Sequence, residues 1–192
     1  LLSNAKWYEI DKDFSEQINS EYQSLRSEKP SVELPKYSHA NENEYNKKTA
    51  GTNTDFHCMD NDLVSHGGGY SKIEFCDLFS KNKKIIHVKR YGGSSVLSHL
   101  FFQGIVSGEL FLADPDFRRK VKDKLPDSFK SVFPNEKPNA GDYEVIFGII
   151  SSVEKDLELP FFSKVSLRSA KRRLETYGYK VSLQKIAAEK KK

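Results

Sequence analysis

The chain has 192 residues, a length suited to one domain with a substantial core. Its composition, 37% hydrophobic and 30% charged with a net charge of +4, predicts a large polar surface and makes nucleic acid the leading acidic partner to consider. Only two cysteines occur, Cys58 and Cys76, and neither belongs to a CxxC pair; this argues against a zinc cluster or disulfide framework and predicts buried thiols.

The opening residues Leu1-Leu2-Ser3-Asn4-Ala5 contain Ser-Asn-Ala, which reads as the scar of a cleaved tag. Residues 1–5 are therefore set aside, 6–186 are read as one domain, and 187–192 as a disordered basic tail. Trp7-Tyr8-Glu9-Ile10 so soon after the tag suggests a piece of a longer protein, whose N-terminal portion would be a partner. The longest apolar stretch, Val96 to Leu112, is interrupted by Ser98, His99, Gln103, Ser107 and Glu109. With no secretory signal visible, the expectation is a cytoplasmic protein without a membrane span.

In chain order, Phe14, Ile18, Tyr22 and Leu25 recur at helical spacing before Pro30 and predict a first helix over 13–28. A second, over 41–50, starts at a capping Asn41, carries Glu42, Glu44 and Tyr45, and ends before Gly51. A short strand over 56–59 precedes a loop over 60–69 that contains Gly67, Gly68 and Gly69. Residues 72–79 and 84–90 read as the two strands of a hairpin joined by a polar turn. Gly92-Gly93-Ser94-Ser95 leads into a long helix over 96–112, which Ser94 or Ser95 could cap. A lysine-rich helix over 117–125, a proline-punctuated loop, a buried strand over 143–151, a basic helix over 166–177 and a final strand over 179–186 complete the chain. The fold class is α/β (α+β): a mixed central sheet with a β-hairpin, flanked by helices.

A hairpin closing symmetrically around Lys81 and Asn82 would set Glu74 opposite Lys89 and Cys76 opposite His87, gathering Glu74, His87 and Lys89 on one face. Carboxylates, a second type of metal ligand and a lysine are what metal-assisted phosphodiester hydrolysis needs. Glu74, His87 and Lys89 are therefore catalytic candidates, the first two as ligands of Mg or Mn. His99 and Gln103, four residues apart on one face of the long helix, are supporting candidates. An ordinary cross-strand ion pair between Glu74 and Lys89 is the competing explanation. Arg90 with the Ser94-Ser95 helix entry, and Lys164, Arg168, Lys171, Arg172 and Arg173 on the basic helix, are candidates for phosphate contacts with DNA or RNA.

This constellation resembles the PD-(D/E)XK nuclease superfamily, whose core runs helix, three strands, helix, strand. The resemblance implies a restriction-endonuclease-like fold, with Asp77 or Glu74 as the acid of the second strand and His87-Val88-Lys89 as the acid-X-lysine element. It also implies Asp77 as a catalytic residue and metal ligand beside Glu74 and His87, a supporting acid from the preceding helix, Glu42 or Glu44, Asp60 as a further ligand, and loosely a glutamine at Gln103. The chain departs from the pattern in having His87 where an acid or glutamine is usual. A second resemblance rests on Ile73-Glu74-Phe75-Cys76-Asp77, Ile86-His87-Val88-Lys89-Arg90, Leu97-Ser98-His99-Leu100-Phe101 and Leu159-Pro160-Phe161-Phe162-Ser163-Lys164. In these the chain is similar to the C-terminal portion of a sporadically distributed bacterial family of uncharacterised proteins, which implies no activity but suits a defence or conflict system. The expected function is a metal-dependent nuclease-like domain; the alternatives are a non-catalytic nucleic-acid-binding module and a regulatory or interaction domain of a larger protein.

Overall fold

The computed structural model describes residues 2–3, 6–7, 9–38, 40–66 and 71–189. Gly67, Gly68 and Gly69 and the Lys190–Lys192 tail lie outside the described residues. At the start, Leu2–Ser3 (β1) pairs with Lys6–Trp7 (β2) in a short antiparallel ladder.

Helix α1, Lys12–Ser27, is capped by the Asp11 side chain, which accepts from the Phe14 amide, and it buries Ile18, Tyr22 and Leu25. Helix α2, Glu42–Thr52, is capped by Asn41 and contains Gly51, which the sequence places beyond its end. The strands that follow are β3 (Phe56–Cys58), β4 (Leu63–His66), β5 (Ser71–Glu74), β6 (Leu78–Ser80) and β7 (Lys84–Arg90). Next come α3 (Ser94–Ala113), α4 (Pro115–Lys124), α5 (Asp127–Lys130), β8 (Glu144–Ser151), α6 (Phe161–Thr176) and β9 (Lys180–Ala187).

The fold is mixed α/β, and its central sheet has the order β3-β6-β7-β8-β9. The β3, β6 and β7 neighbours are antiparallel, whereas β8 and β9 continue parallel to β7. The two crossovers, α3 and α6, pack on each other and on this sheet. Parallel strands covered on both faces need apolar residues throughout, and all eight residues of β8 are buried. One core cluster joins Ile85, Val145, Phe147 and Ile149 to helix residues such as Leu100, Phe101, Phe111 and Leu167. The other lies on Ile86, Val88, Ile146 and Ile150 and includes Tyr45 of α2 and Tyr37.

Three expectations are corrected. The run 72–79 is not one strand: β5 pairs with β4, inside what reads as a loop, and β6 alone pairs with β7. The register sets Leu78 opposite Ile86 and Phe79 opposite Ile85, so Glu74 is not opposite Lys89 but opposite Leu63. Ser94 and Ser95 do not cap α3, because the helix already begins at Ser94 and Gly93 occupies the capping position with no side-chain bond.

By length and composition alone, α3 is apolar enough to cross a membrane, despite its polar interruptions. Its burial accounts for that apolarity: Leu97, Leu100, Phe101, Ile105 and Phe111 are core residues, and Gly104 and Gly108 allow close approach to Phe147 and Leu174.

Candidate functional site

β6 accompanies β7 for only two residue pairs. Before it, at Asp77, the chain turns away, leaving the next amides on that edge of β7 without a strand partner. Amides that lose a strand partner need other acceptors, and two carboxylates supply them: Asp77 Oδ2 accepts from Val88 N at 2.7 Å, and Glu42 Oε1 accepts from Arg90 N at 2.9 Å. Lys89 lies between these amides in sequence and donates through Nζ to Glu42 Oε2 at 2.7 Å.

Asp60 reaches the same place from the turn after β3. Met59 N donates to the Asp77 carbonyl, Asp62 N closes the turn on Met59, and Asn61 sits at φ +66°, a region that asparagine tolerates. Asn61 N then donates to Glu74 Oε1 at 2.6 Å, tying the turn to the end of β5. The outcome is a half-buried trio, Asp60, Glu74 and Asp77, with one oxygen of each lying within 4.8 Å of the others. Repulsion between two ionised carboxylates at such a distance is on the order of 3 kcal/mol at an effective dielectric of 20. Burial and then the charge of Glu74 hold the Asp77 pKa well above the ordinary carboxylate value. Burial raises that of Glu74 as well, with Asp60 adding to it. Burial works against the Lys89 charge, but its bond to Glu42 and the neighbouring Asp77 and Asp60 outweigh this and raise its pKa.

Asn46, fully buried on α2 one turn beyond Glu42, completes the centre. Its amide nitrogen donates to Asp60 Oδ2 at 3.0 Å and to Asp77 Oδ1 at 3.4 Å, while its carbonyl oxygen has no partner among the described residues. The sequence reading overlooked Asn46, although i, i+4 spacing puts it on the Glu42 face of the helix. Glu44 turns elsewhere: its carboxylate accepts from Ala40 N and from the Asn41 side chain at the start of α2.

The structure thus brings Asp60, Glu74, Asp77 and Lys89 together and leaves other candidates apart. His87, 3% exposed, lies beneath α3, with Nε2 3.2 Å from Ser107 Oγ and its ring stacked on Phe147. Burial lowers its pKa to about 4. On α3, His99 is exposed and Gln103 half-buried, and neither bonds to the trio. The basic helix is engaged within the chain. Lys164 bonds Glu158 and Asn19, and Arg168 and Arg172 share Glu21. Lys171 pairs with Glu175 and Arg173 with Glu109. Arg90 instead lies 5.2 Å over the Tyr37 ring, with no acidic side-chain partner among the described residues.

Three oxygen-bearing acids at bridging distance can hold a divalent cation. No curated protein and no solved structure is significantly similar to the chain. A family model matches residues 1–187, nearly the whole sequence, and the chain belongs to that family, a family of unknown function (DUF6119).

Proposed function

We propose that this chain is a metal-dependent nuclease-like domain acting on DNA or RNA, with Asp60, Glu74 and Asp77 holding Mg or Mn and Lys89 facing the scissile phosphate. The observation that carries the reading is the convergence of three carboxylates to within 4.8 Å beside a lysine whose charge Glu42 sustains. The donor set fits the group. Mg and Mn favour oxygen ligands, and with His87 buried elsewhere the available ligands are all oxygens. Asn46 adds to the fit, because turning its amide over would aim the unpartnered oxygen at the trio, an arrangement favourable with a cation between them.

The order of elements supports a restriction-endonuclease-like core. α2, then β3, β6 and β7 as three antiparallel neighbours, then α3 and a parallel β8 reproduce the helix, three strands, helix, strand plan. Asp77 immediately precedes the second of these strands, Lys89 is on the third, and Glu42 is the acid from the helix. A bound ion would lower the pKa of its water and offset charge on the leaving oxygen. The chain's own contribution is to orient the three acids, keep Lys89 protonated through Glu42, and place that ammonium where it can meet a phosphate oxygen. The binding-module alternative has less support, since the cations of α6 already bond Glu21, Glu109, Glu158 and Glu175. A bacterial defence or conflict role is compatible with such an activity.

The test is cleavage of end-labelled single- and double-stranded DNA and RNA with Mg, Mn or EDTA, comparing the chain with Lys89→Ala. Metal-dependent cleavage reduced about a hundredfold or more in the variant is expected, a loss of roughly 3 kcal/mol in transition-state stabilisation. Equal cleavage by both proteins would remove Lys89 from the mechanism, and no cleavage by folded protein under any of these conditions would count against the activity.

A further inference from the structure

A cleft of about 670 Å³ opens where the parallel strands β7 and β8 end. Arg90 and Tyr91 line it as the chain leaves β7, Ser151 and Ser152 as it leaves β8, and Glu189 lies just past β9. Tyr37 forms another wall, fixed by a parallel bridge to Ala188 and by backbone bonds from Tyr37 N to Ala187 O and from Glu189 N to Tyr37 O. The cleft adjoins the acidic centre through a single residue. Arg90 gives its backbone amide to Glu42, the acid that also holds Lys89, and turns its side chain into the cleft.

Three features describe what the cleft would take. Tyr91, 43% exposed, is an aromatic residue of the cleft lining. The Arg90 guanidinium lies over the Tyr37 ring and is exposed; unlike the cations of α6, it forms no ion pair among the described residues, although Glu189 lines the same cleft. Ser151 and Ser152 line the cleft beside them, where β8 ends next to β7. Exposed aromatic rings beside a guanidinium that forms no ion pair among the described residues are suited to an unstacked nucleobase and its phosphate. A volume of this kind accommodates a small-molecule-sized group, which a base can occupy only when it is out of a helical stack.

The geometry points to this cleft as the seat of one unstacked nucleotide of a single-stranded nucleic acid, with Tyr91 stacking on the base and Arg90 pairing with a phosphate next to the scissile bond. This inference rests on the nuclease reading and specifies its substrate as single-stranded.

The test measures binding in EDTA, where cleavage cannot interfere. A fluorescein-labelled oligothymidylate, and the same strand annealed to oligoadenylate, are titrated with the chain and with Tyr91→Ala and Tyr91→Phe. The single strand is expected to bind more tightly than the duplex. Tyr91→Ala should weaken single-strand binding by roughly ten- to a hundredfold, the effect of removing one base-stacking ring, and Tyr91→Phe should retain it. Because Tyr91 is exposed, the alanine variant is expected to fold, which circular dichroism checks. Equal binding of duplex and single strand, wild-type affinity in Tyr91→Ala, or no binding to either probe would each overturn the inference. The two readings fail separately. Tyr91-dependent binding by a chain that never cleaves would sink the nuclease reading alone, whereas cleavage undiminished in Tyr91→Ala would sink the cleft alone.

Discussion

His87 is packed between α3 and β8, away from the acidic trio. It bonds Ser107 and stacks on Phe147, with a pKa lowered by burial to about 4. In the unfolded chain a histidine titrates near 6.5. Between these values the unfolded state binds more protons than the folded one. The stability held by the neutral ring is therefore fully present above about pH 6.5 and is lost as pH falls through that window, by on the order of 3 kcal/mol at its acid end. Urea unfolding of His87→Gln between pH 7 and 4 is expected to show a shallower acid decline than the parent, and parallel curves would contradict this placement. The same scale explains why the acids of α2 were sorted only in part by sequence. Asn41 and Glu44 stand three apart at a helix start, the spacing of a capping box, and Glu44 does bond Asn41 and Ala40. That signal was legible and would have assigned Glu44 to the helix end and left Glu42 to the site. Asn46 was harder to find, because an asparagine in a short polar helix has no property that marks it until Asp60 and Asp77 are folded against it.

At the scale of elements, β7 and β8 were legible because runs rich in β-branched and aromatic residues have few alternatives to a buried strand, and β9 because its apolar residues alternate with polar ones. Helices α1 to α4 and α6 were legible from apolar spacing and caps, whereas α5 lies inside what reads as a loop and α6 starts five residues before the helix read over 166–177. The run 72–79 misled because alternation continues through it, while its pairing partners change. Ile73 and Glu74 serve the β4–β5 hairpin, and Leu78 and Phe79 serve the main sheet. The bend between them brings Glu74 and Asp77 to Asp60, so the local irregularity that defeated the hairpin register is what assembles the acidic trio. α3 shows the opposite case, a long apolar helix whose fit depends on small residues. A Cβ on Gly104 would fall 2.6 and 2.8 Å from two ring atoms of Phe147. That ring is fully buried, with Phe101 on one side and His87 stacked near it, so it has little room to yield. Gly104→Ala is expected to destabilise the fold by about 1–3 kcal/mol through overpacking, read as a lowered midpoint in chemical denaturation. An unchanged midpoint would mean that α3 sits farther from β8 than the structure places it.

Across the whole molecule, composition was a weak guide to function. Clusters of Lys and Arg in the sequence suggested a broad nucleic-acid surface, but folding pairs the α6 cations with acids from α1, α3 and the Leu157–Leu159 region. Residues far apart along the chain cancel each other's charge, which no local window reveals. What folding concentrates instead is negative charge, at the end of the sheet where β6 leaves β7, with Lys89 and Arg90 beside it. Such a centre is costly when its acids are ionised alone and is relieved by a divalent cation. The most direct measurement is calorimetric titration of the chain with Mn, repeated on an Asp60→Asn, Asp77→Asn double variant. The asparagine at 77 keeps an acceptor for the Val88 amide and so preserves the bond that Asp77 makes in the fold. The account predicts saturable Mn binding by the parent and its loss in the variant; no binding by the parent, or equal binding by both proteins, would contradict it.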